Sequence, residues 1–159
     1  MRTLVLYASR YGLAADCAEY LKANLPGDVT LADVETGNLQ LDLEAFDTVI
    51  LGASVYVGKI SKKMRAFCEG KAQLLLQKRL GIFLCCAQAE NLDTFLTANF
   101  PAALLAHASV TKAFGSEARL EKMRTFDKLI IKAVTKGNFS SFRILNENRE
   151  TFVREISSS

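Results

Sequence analysis

Thr3-Leu4-Val5-Leu6-Tyr7-Ala8-Ser9-Arg10-Tyr11-Gly12-Leu13-Ala14 decides the fold of this chain. Thr3 to Ala8 is a short, nearly continuous apolar run, which suits a strand buried on both faces of a parallel sheet better than one with a solvated face. Past Gly12 the period changes. Ala14, Cys17, Ala18, Leu21 and Leu25 recur at helical spacing, Asp16, Glu19, Lys22 and Asn24 take the other face, and Pro26-Gly27 closes the segment. A buried strand followed by an amphipathic helix is the opening half of a βαβ unit.

The same alternation continues along the chain. Strands are predicted at Val29 to Val34, Thr48 to Ala53, Leu80 to Ala87 and Ser109 to Gly115. Between them a helix is predicted over about 61–77, with Met64, Phe67 and Cys68 inward. Asn91 to His107 reads as helical around a break at Pro101, and a last helix covers Glu147 to Ile156. Strands alternating with helices of this length specify an α/β fold with a doubly wound, five-stranded parallel sheet. One segment is additional: before the last helix, Leu120 to Val134 forms an amphipathic pattern with Leu120, Met123, Ile130 and Val134 on one side and Arg124, Lys128, Lys132 and Lys136 on another.

The chain has 159 residues, half of them apolar and two of them proline, enough for one domain with a proper core and too little for two. A single domain over 1–159 is therefore expected. Nothing approaches the roughly 20 apolar residues that span a bilayer, and Met1-Arg2 leads straight into a strand with no leader pattern, so a cytoplasmic protein is expected. Four cysteines without C-x-x-C spacing fit reduced thiols, and the vicinal Cys85-Cys86 pair reads as two small core side chains. The single His107 gives a metal site or a Cys-His pair little to build on and reads as a cap or packing residue. No metal site and no nucleic-acid partner are expected.

Charge is modest overall but unevenly placed. Six basic residues between Glu117 and Lys136 stand against three acids, and this excess equals the whole net charge of +3. A basic amphipathic helix of this kind is either a solvated face covering the sheet or a surface that meets anionic lipid or an acidic substrate. On the second reading, 119–136 makes a peripheral contact with the inner face of the membrane.

Three loops are candidates for chemistry. The turn Ser9-Arg10-Tyr11-Gly12-Leu13-Ala14 joins a strand to a helix start, where free backbone N–H groups and the helix dipole favour an anion and Gly12 lets the main chain approach it. Ala53-Ser54-Val55-Tyr56-Val57-Gly58 follows Gly52 at the carboxyl end of the next central strand, where ligands of open α/β sheets bind. Tyr56 either stacks on a planar ligand or caps the sheet edge. Ala87-Gln88-Ala89-Glu90 follows the fourth strand and offers main-chain contacts but no aromatic side chain.

These motifs resemble a known family. Leu4 to Gly12 is similar to the flavodoxin phosphate loop, in which a hydrophobic strand leads to Ser/Thr-x-x-Gly-x-Thr; Ser9 matches the hydroxyl and Gly12 the glycine, while Ala14 stands where the family has threonine. Gly52 to Gly58 resembles the Gly-Ala-Ser-aliphatic-x-Tyr-Gly stretch of flavodoxin-type, menaquinone-dependent protoporphyrinogen oxidases, with Tyr56 one place early and Val57 in its slot. Phe126-Asp127-Lys128-Leu129-Ile130-Ile131-Lys132 is similar to that subgroup's aromatic-Asp-Arg-x-x-Ile-Lys insertion, and Phe152-Val153-Arg154-Glu155-Ile156 to its closing helix.

The resemblance implies strand order 2-1-3-4-5 and FMN as cofactor, its phosphate on residues 9–14 and its ring beside 53–58 and 87–90. It implies an oxidoreductase passing electrons to a redox partner or quinone, with protoporphyrinogen as substrate. Lys59, Lys62 and Lys63 follow the second loop and would stabilise an anionic reduced flavin. Two other readings stay open: an electron carrier, and a cofactor-free binding module, which Ala14 and the missing third-loop aromatic favour.

Overall fold

Each central strand of a parallel sheet needs apolar side chains on both faces, and three segments supply them. In the computed structural model, which describes residues 1–36, 40–117, 125–135 and 143–158, these are β1 (Arg2–Ala8), β3 (Thr48–Ser54) and β4 (Arg79–Cys85). Leu4, Val5, Leu6, Val49, Ile50, Leu51, Ile82, Phe83 and Leu84 are all fully buried. β2 (Asp28–Asp33) and β5 (Val110–Gly115) form the edges. The order is β2-β1-β3-β4-β5, every pair parallel, as the resemblance implies.

Alternation along the strands makes two cores. On one face Leu4, Leu6, Val49, Leu51, Ile82 and Leu84 pack against Met64, Cys68, Leu75, Leu96 and Leu104. Those residues come from α2 (Lys62–Gly70), α3 (Ala72–Leu75), α4 (Leu92–Asn99) and α5 (Ala102–His107). On the other face Val5, Ile50 and Phe83 meet α1 (Leu13–Asn24) and α7 (Asn146–Ser157) through Cys17, Leu21, Phe152 and Ile156. Here Phe83 stacks on Phe114 with centroids 4.5 Å apart, and Phe152 stands edge-on to both rings. Gly52 makes room for this cluster, since a Cβ there would lie 2.0 Å from Phe83 Cζ.

Two expected elements are shorter than the sequence predicts. The helix over 61–77 is broken: α2 is capped by Ser61, whose hydroxyl accepts from Met64 N at 3.3 Å, and ends at Gly70. Lys71 then leaves helical geometry before α3 (φ −113°, ψ 15°). Glycine is a poor helix former, and the break restarts the chain in a register that buries Leu75. The fourth strand stops at Cys85, where pairing with β5 skips a residue, from Leu84 with Ala113 to Cys85 with Gly115. This bulge releases Cys86 and Ala87 from the sheet into the third loop.

The added segment leaves and rejoins the fold at one point. Gly115 and Ile144 form an antiparallel bridge, with Ser116 N donating to Arg143 O at 2.9 Å and Leu145 N to Phe114 O at 3.0 Å. Between them α6 spans Thr125–Thr135. Leu120, Met123, Arg124 and Lys136 of the predicted amphipathic pattern lie outside the described residues. No helix among the described residues is long and apolar enough to cross a membrane.

Candidate functional site

The strand register brings the first two candidate loops together. Tyr7 pairs with Gly52 and Ala8 with Ala53, so β1 and β3 end level as neighbours at the point where the winding reverses. The turn after β1 is closed by Ser9, whose Oγ accepts from Gly12 N at 2.9 Å. Gly12 has φ +95°, a left-handed conformation that side chains oppose. The first helical bond of α1 runs from Asp16 N to Gly12 O at 3.0 Å. The amides of Leu13, Ala14 and Ala15 therefore have no acceptor within the helix, which is the donor set an anion uses. Leu13 and Ala14 bury their side chains in the α1 core, so position 14 offers the site its backbone alone.

The loop after β3 is a tight hairpin. Tyr56 and Lys59 exchange backbone hydrogen bonds at 2.9 and 3.0 Å, and both residues between them have positive φ, Val57 at 48° and Gly58 at 75°. This is the pattern of a type I′ turn. Glycine accepts it freely, whereas a β-branched valine there is strained. Val57, in the slot where the resembling motif has its aromatic residue, is 70% exposed at the tip. Buried Asn99 of α4 clamps the loop: its Oδ1 accepts from Ile60 N at 3.2 Å, and its Nδ2 donates to Gly58 O at 3.0 Å and Phe95 O at 2.8 Å. An isolated asparagine in an apolar segment carried no motif by which sequence reading would have found it.

Beside these loops lies a cavity of about 520 Å³ lined by Ser9, Arg10, Glu35, Ser54, Tyr56, Lys59, Ser61 and Lys62, with Ala8 and Ile60 as its apolar wall. Glu35, just past β2, accepts from the Ser61 hydroxyl, and its carbonyl accepts from Lys63 Nζ at 3.3 Å. The third loop borders a separate cavity of about 190 Å³, lined by Cys86, Ala87, Ala89, Glu90, Gly115, Arg143 and Leu145. The structure thus joins residues of the first two loops in one cavity and sets the third loop against the base of the insertion. Tyr11, Gly12, Leu13, Ala14, Ala53, Val55, Val57, Gly58 and Gln88 line neither space.

Asp127 of α6 reaches this site, a role its place on a basic helix did not announce. Its carboxylate is buried and meets Arg10 Nη2 at 2.6 Å and Tyr56 OH at 2.6 Å, and it also accepts from Tyr11 OH. The Arg10 guanidinium lies 3.8 Å over the Tyr56 ring, a cation–π contact that occupies one face of it. Of the basic face, Lys132 is exposed and Lys128 half-buried.

The thiols are packing groups. All four cysteines are free and buried. Cys85 Sγ donates to Cys17 Sγ at 3.9 Å, which holds the Cys17 pKa below its ordinary value and, together with burial, pushes Cys85 well above it. Burial pushes Cys68 up to about 12 and Cys86 to about 11, so neither is a thiolate at neutral pH. His107 ends α5 with Nε2 2.6 Å from the Lys78 carbonyl, a packing role as its position predicts.

A doubly wound sheet of order 2-1-3-4-5, with a glycine turn and helix start at its switch point, defines a flavodoxin-like α/β protein. The chain matches the family model described as "Flavodoxin domain" over residues 4–141, and it belongs to that family. Among solved structures it is similar to oxidised flavodoxin 1 from Bacillus cereus, with 13% identity, a TM-score of 0.56 and coverage of 99% of this chain and 95% of that one. It is also similar to a flavoprotein in complex with FMN from Lactobacillus acidophilus, with 15% identity, a TM-score of 0.55 and coverage of 70% and 91%. Likenesses at this identity carry the fold. Among curated proteins none matches the chain significantly.

Proposed function

We propose that this protein binds FMN, with the phosphate on the turn from Ser9 to Ala14, and works as an electron-transferring flavoprotein. The observation that carries this reading is the left-handed Gly12 at the start of α1, which opens the first-turn amides of Leu13 and Ala14 at the sheet's switch point. The residues fit the group. The adjoining cavity has the size of a cofactor site, and the FMN-bound Lactobacillus protein shares the fold. When bound, FMN would supply the redox chemistry itself. The chain's part is to hold the phosphate on backbone N–H groups, to flank the ligand with Ser54 and Tyr56, and to set the local charge through Lys59 and Lys62. Positive charge there favours the reduced, anionic form of the ring and raises its potential.

Two finer readings share this base. The oxidase reading, protoporphyrinogen oxidation with electrons passed to a quinone, is supported by the resemblance of 52–58 and 126–132 to that subgroup. The carrier reading, electron exchange with a redox partner, is supported by membership in the flavodoxin family and by the fold shared with the Bacillus flavodoxin. Anaerobic assay with protoporphyrinogen and a menaquinone analogue separates them: turnover selects the oxidase, and a flavin-loaded but inactive protein selects the carrier.

The visible spectrum of purified protein titrated with FMN tests the common base. Saturable binding is expected, and Ser9→Ala should weaken it about tenfold, the order of one hydroxyl contact to a charged group. A colourless protein with no saturable FMN binding would overturn both redox readings and leave a cofactor-free binding module. Localisation at a membrane face through the basic segment 119–136 is a further part of the oxidase reading, tested by co-sedimentation of a Lys128→Gln/Lys132→Gln variant with anionic liposomes.

A further inference from the structure

The guanidinium of Arg10 and the hydroxyls of Tyr11 and Tyr56 converge on one point at the mouth of the phosphate loop, and the group at that point is the Asp127 carboxylate of α6. We propose that these three side chains form an anion seat, that Asp127 is its internal occupant, and that a phosphate-bearing ligand entering the loop displaces it. The inference rests on the FMN reading for the identity of the natural ligand, but not for the existence of the seat.

The chemistry of the seat is that of an oxyanion site. One guanidinium and two O–H donors offer their protons to a single buried carboxylate, a donor set that suits phosphate oxygens equally well. Arg10 and Tyr11 are the two residues between Ser9 and Gly12, so the seat is built from the phosphate loop itself, and Tyr56 joins it from the β3 hairpin. Charge favours one occupant. Arg10 already pairs with the Asp127 carboxylate, and a phosphate monoester of about −2 brought to the same guanidinium would set like charges side by side, with Lys59 and Lys62 the other cations lining the cavity. The ligand and Asp127 therefore compete, and α6, which carries Asp127, contributes no strand to the sheet, so that displacing it leaves the sheet in place.

The test is a pair of titrations of the full chain, wild type and Asp127→Asn, with FMN and with riboflavin, which lacks the phosphate. Asp127→Asn keeps the side-chain shape and removes the charge. It should tighten FMN about tenfold, the gain expected when a largely occupied competing state is relieved, and should move riboflavin less than twofold. FMN affinity unchanged or weakened in the variant would overturn the proposal and make Asp127 a group that positions Arg10 and Tyr56 for the ligand. Equal tightening of both flavins would overturn it as well, by showing that α6 shades the ring and not the anion.

Amide hydrogen exchange on flavin-free protein decides the seat independently. Exchange across Thr125–Thr135 should be faster in Asp127→Asn, and inorganic phosphate added to wild type should speed it in the same residues. Exchange unmoved by either change would overturn the proposal. Faster exchange in both, with no flavin bound by either protein, would sink the FMN reading and leave the anion seat standing.

Discussion

Two cavities among the described residues at the carboxyl edge of the sheet differ in kind. The larger one gathers Arg10, Lys59, Lys62 and Glu35 with the hydroxyls of Ser9, Ser54 and Ser61; the smaller one is bounded by Cys86, Ala87, Ala89 and Leu145, with Glu90 and Arg143 as its charged residues. One sheet edge and one strand register produce both spaces, so the backbone alone does not distinguish them. What separates them is the loops. The first two carry donors and cations into a space beside a helix start, while the third leaves a bulged strand end and packs on the base of the insertion. The doubly wound fold supplies a place, and loop side chains decide which end of a ligand that place accepts.

The strongest way to break this contrast is Gly12→Val. A side chain would stand where the main chain must approach phosphate, and φ +95° would strain the backbone. FMN affinity in a fluorescence titration should fall about a hundredfold, and the melting temperature should fall too, since a β-branched residue there costs about 1–3 kcal/mol. Retained affinity would move the phosphate away from the first loop.

Val57→Asn sharpens the contrast from the side of stability. Asn-Gly is the favoured pair for a type I′ turn, and replacing strained valine should stabilise the fold by about 1 kcal/mol, a rise of roughly 2–4 °C by calorimetry. A fall in melting temperature would mean that exposed Val57 is held by contacts outside the hairpin.

Charge in the larger cavity has a smaller effect. Lys59→Gln with Lys62→Gln should weaken FMN about threefold at low salt, and the difference should shrink as salt rises because partly exposed charges are screened. A salt-independent loss would instead mean direct, desolvated contacts. Gln88→Ala, on the third loop, should change FMN affinity less than about twofold, since that loop offers backbone groups to a ligand. A tenfold loss would place the ligand across both cavities and dissolve the distinction.

Local pattern made some of this legible and left the rest hidden. The apolar runs of β1, β3 and β4 are long enough to announce buried strands, and the change of period at Gly12 marks the start of α1. Ser9 and Gly12 are visible because a strand-to-helix turn closed by a hydroxyl and a left-handed glycine leaves both residue types at close spacing. The convergence on Asp127 was not, because the Arg10 contact joins residues 117 apart in sequence and depends on how the insertion folds back. Asn99 was hidden for a related reason, since it ends helix α4 while its partners Gly58 and Ile60 lie in the loop after β3. The interruption after Gly70 escaped a reading that counted apolar spacing across it, because inward residues continue on both sides of the break, Met64 and Cys68 before it and Leu75 after it. Gly52 looked like part of a ligand loop, yet its first duty is to clear space for Phe83.

The bridge between Gly115 and Ile144 has an evolutionary corollary. Because the excursion carrying α6 begins and ends at adjacent positions on the outer edge of β5, its coming and going leave the order of strands and the path of the chain through the core unaltered. Such a segment behaves as a cassette. A change in its length would therefore alter what reaches the first loop without requiring a new path for any of the five strands.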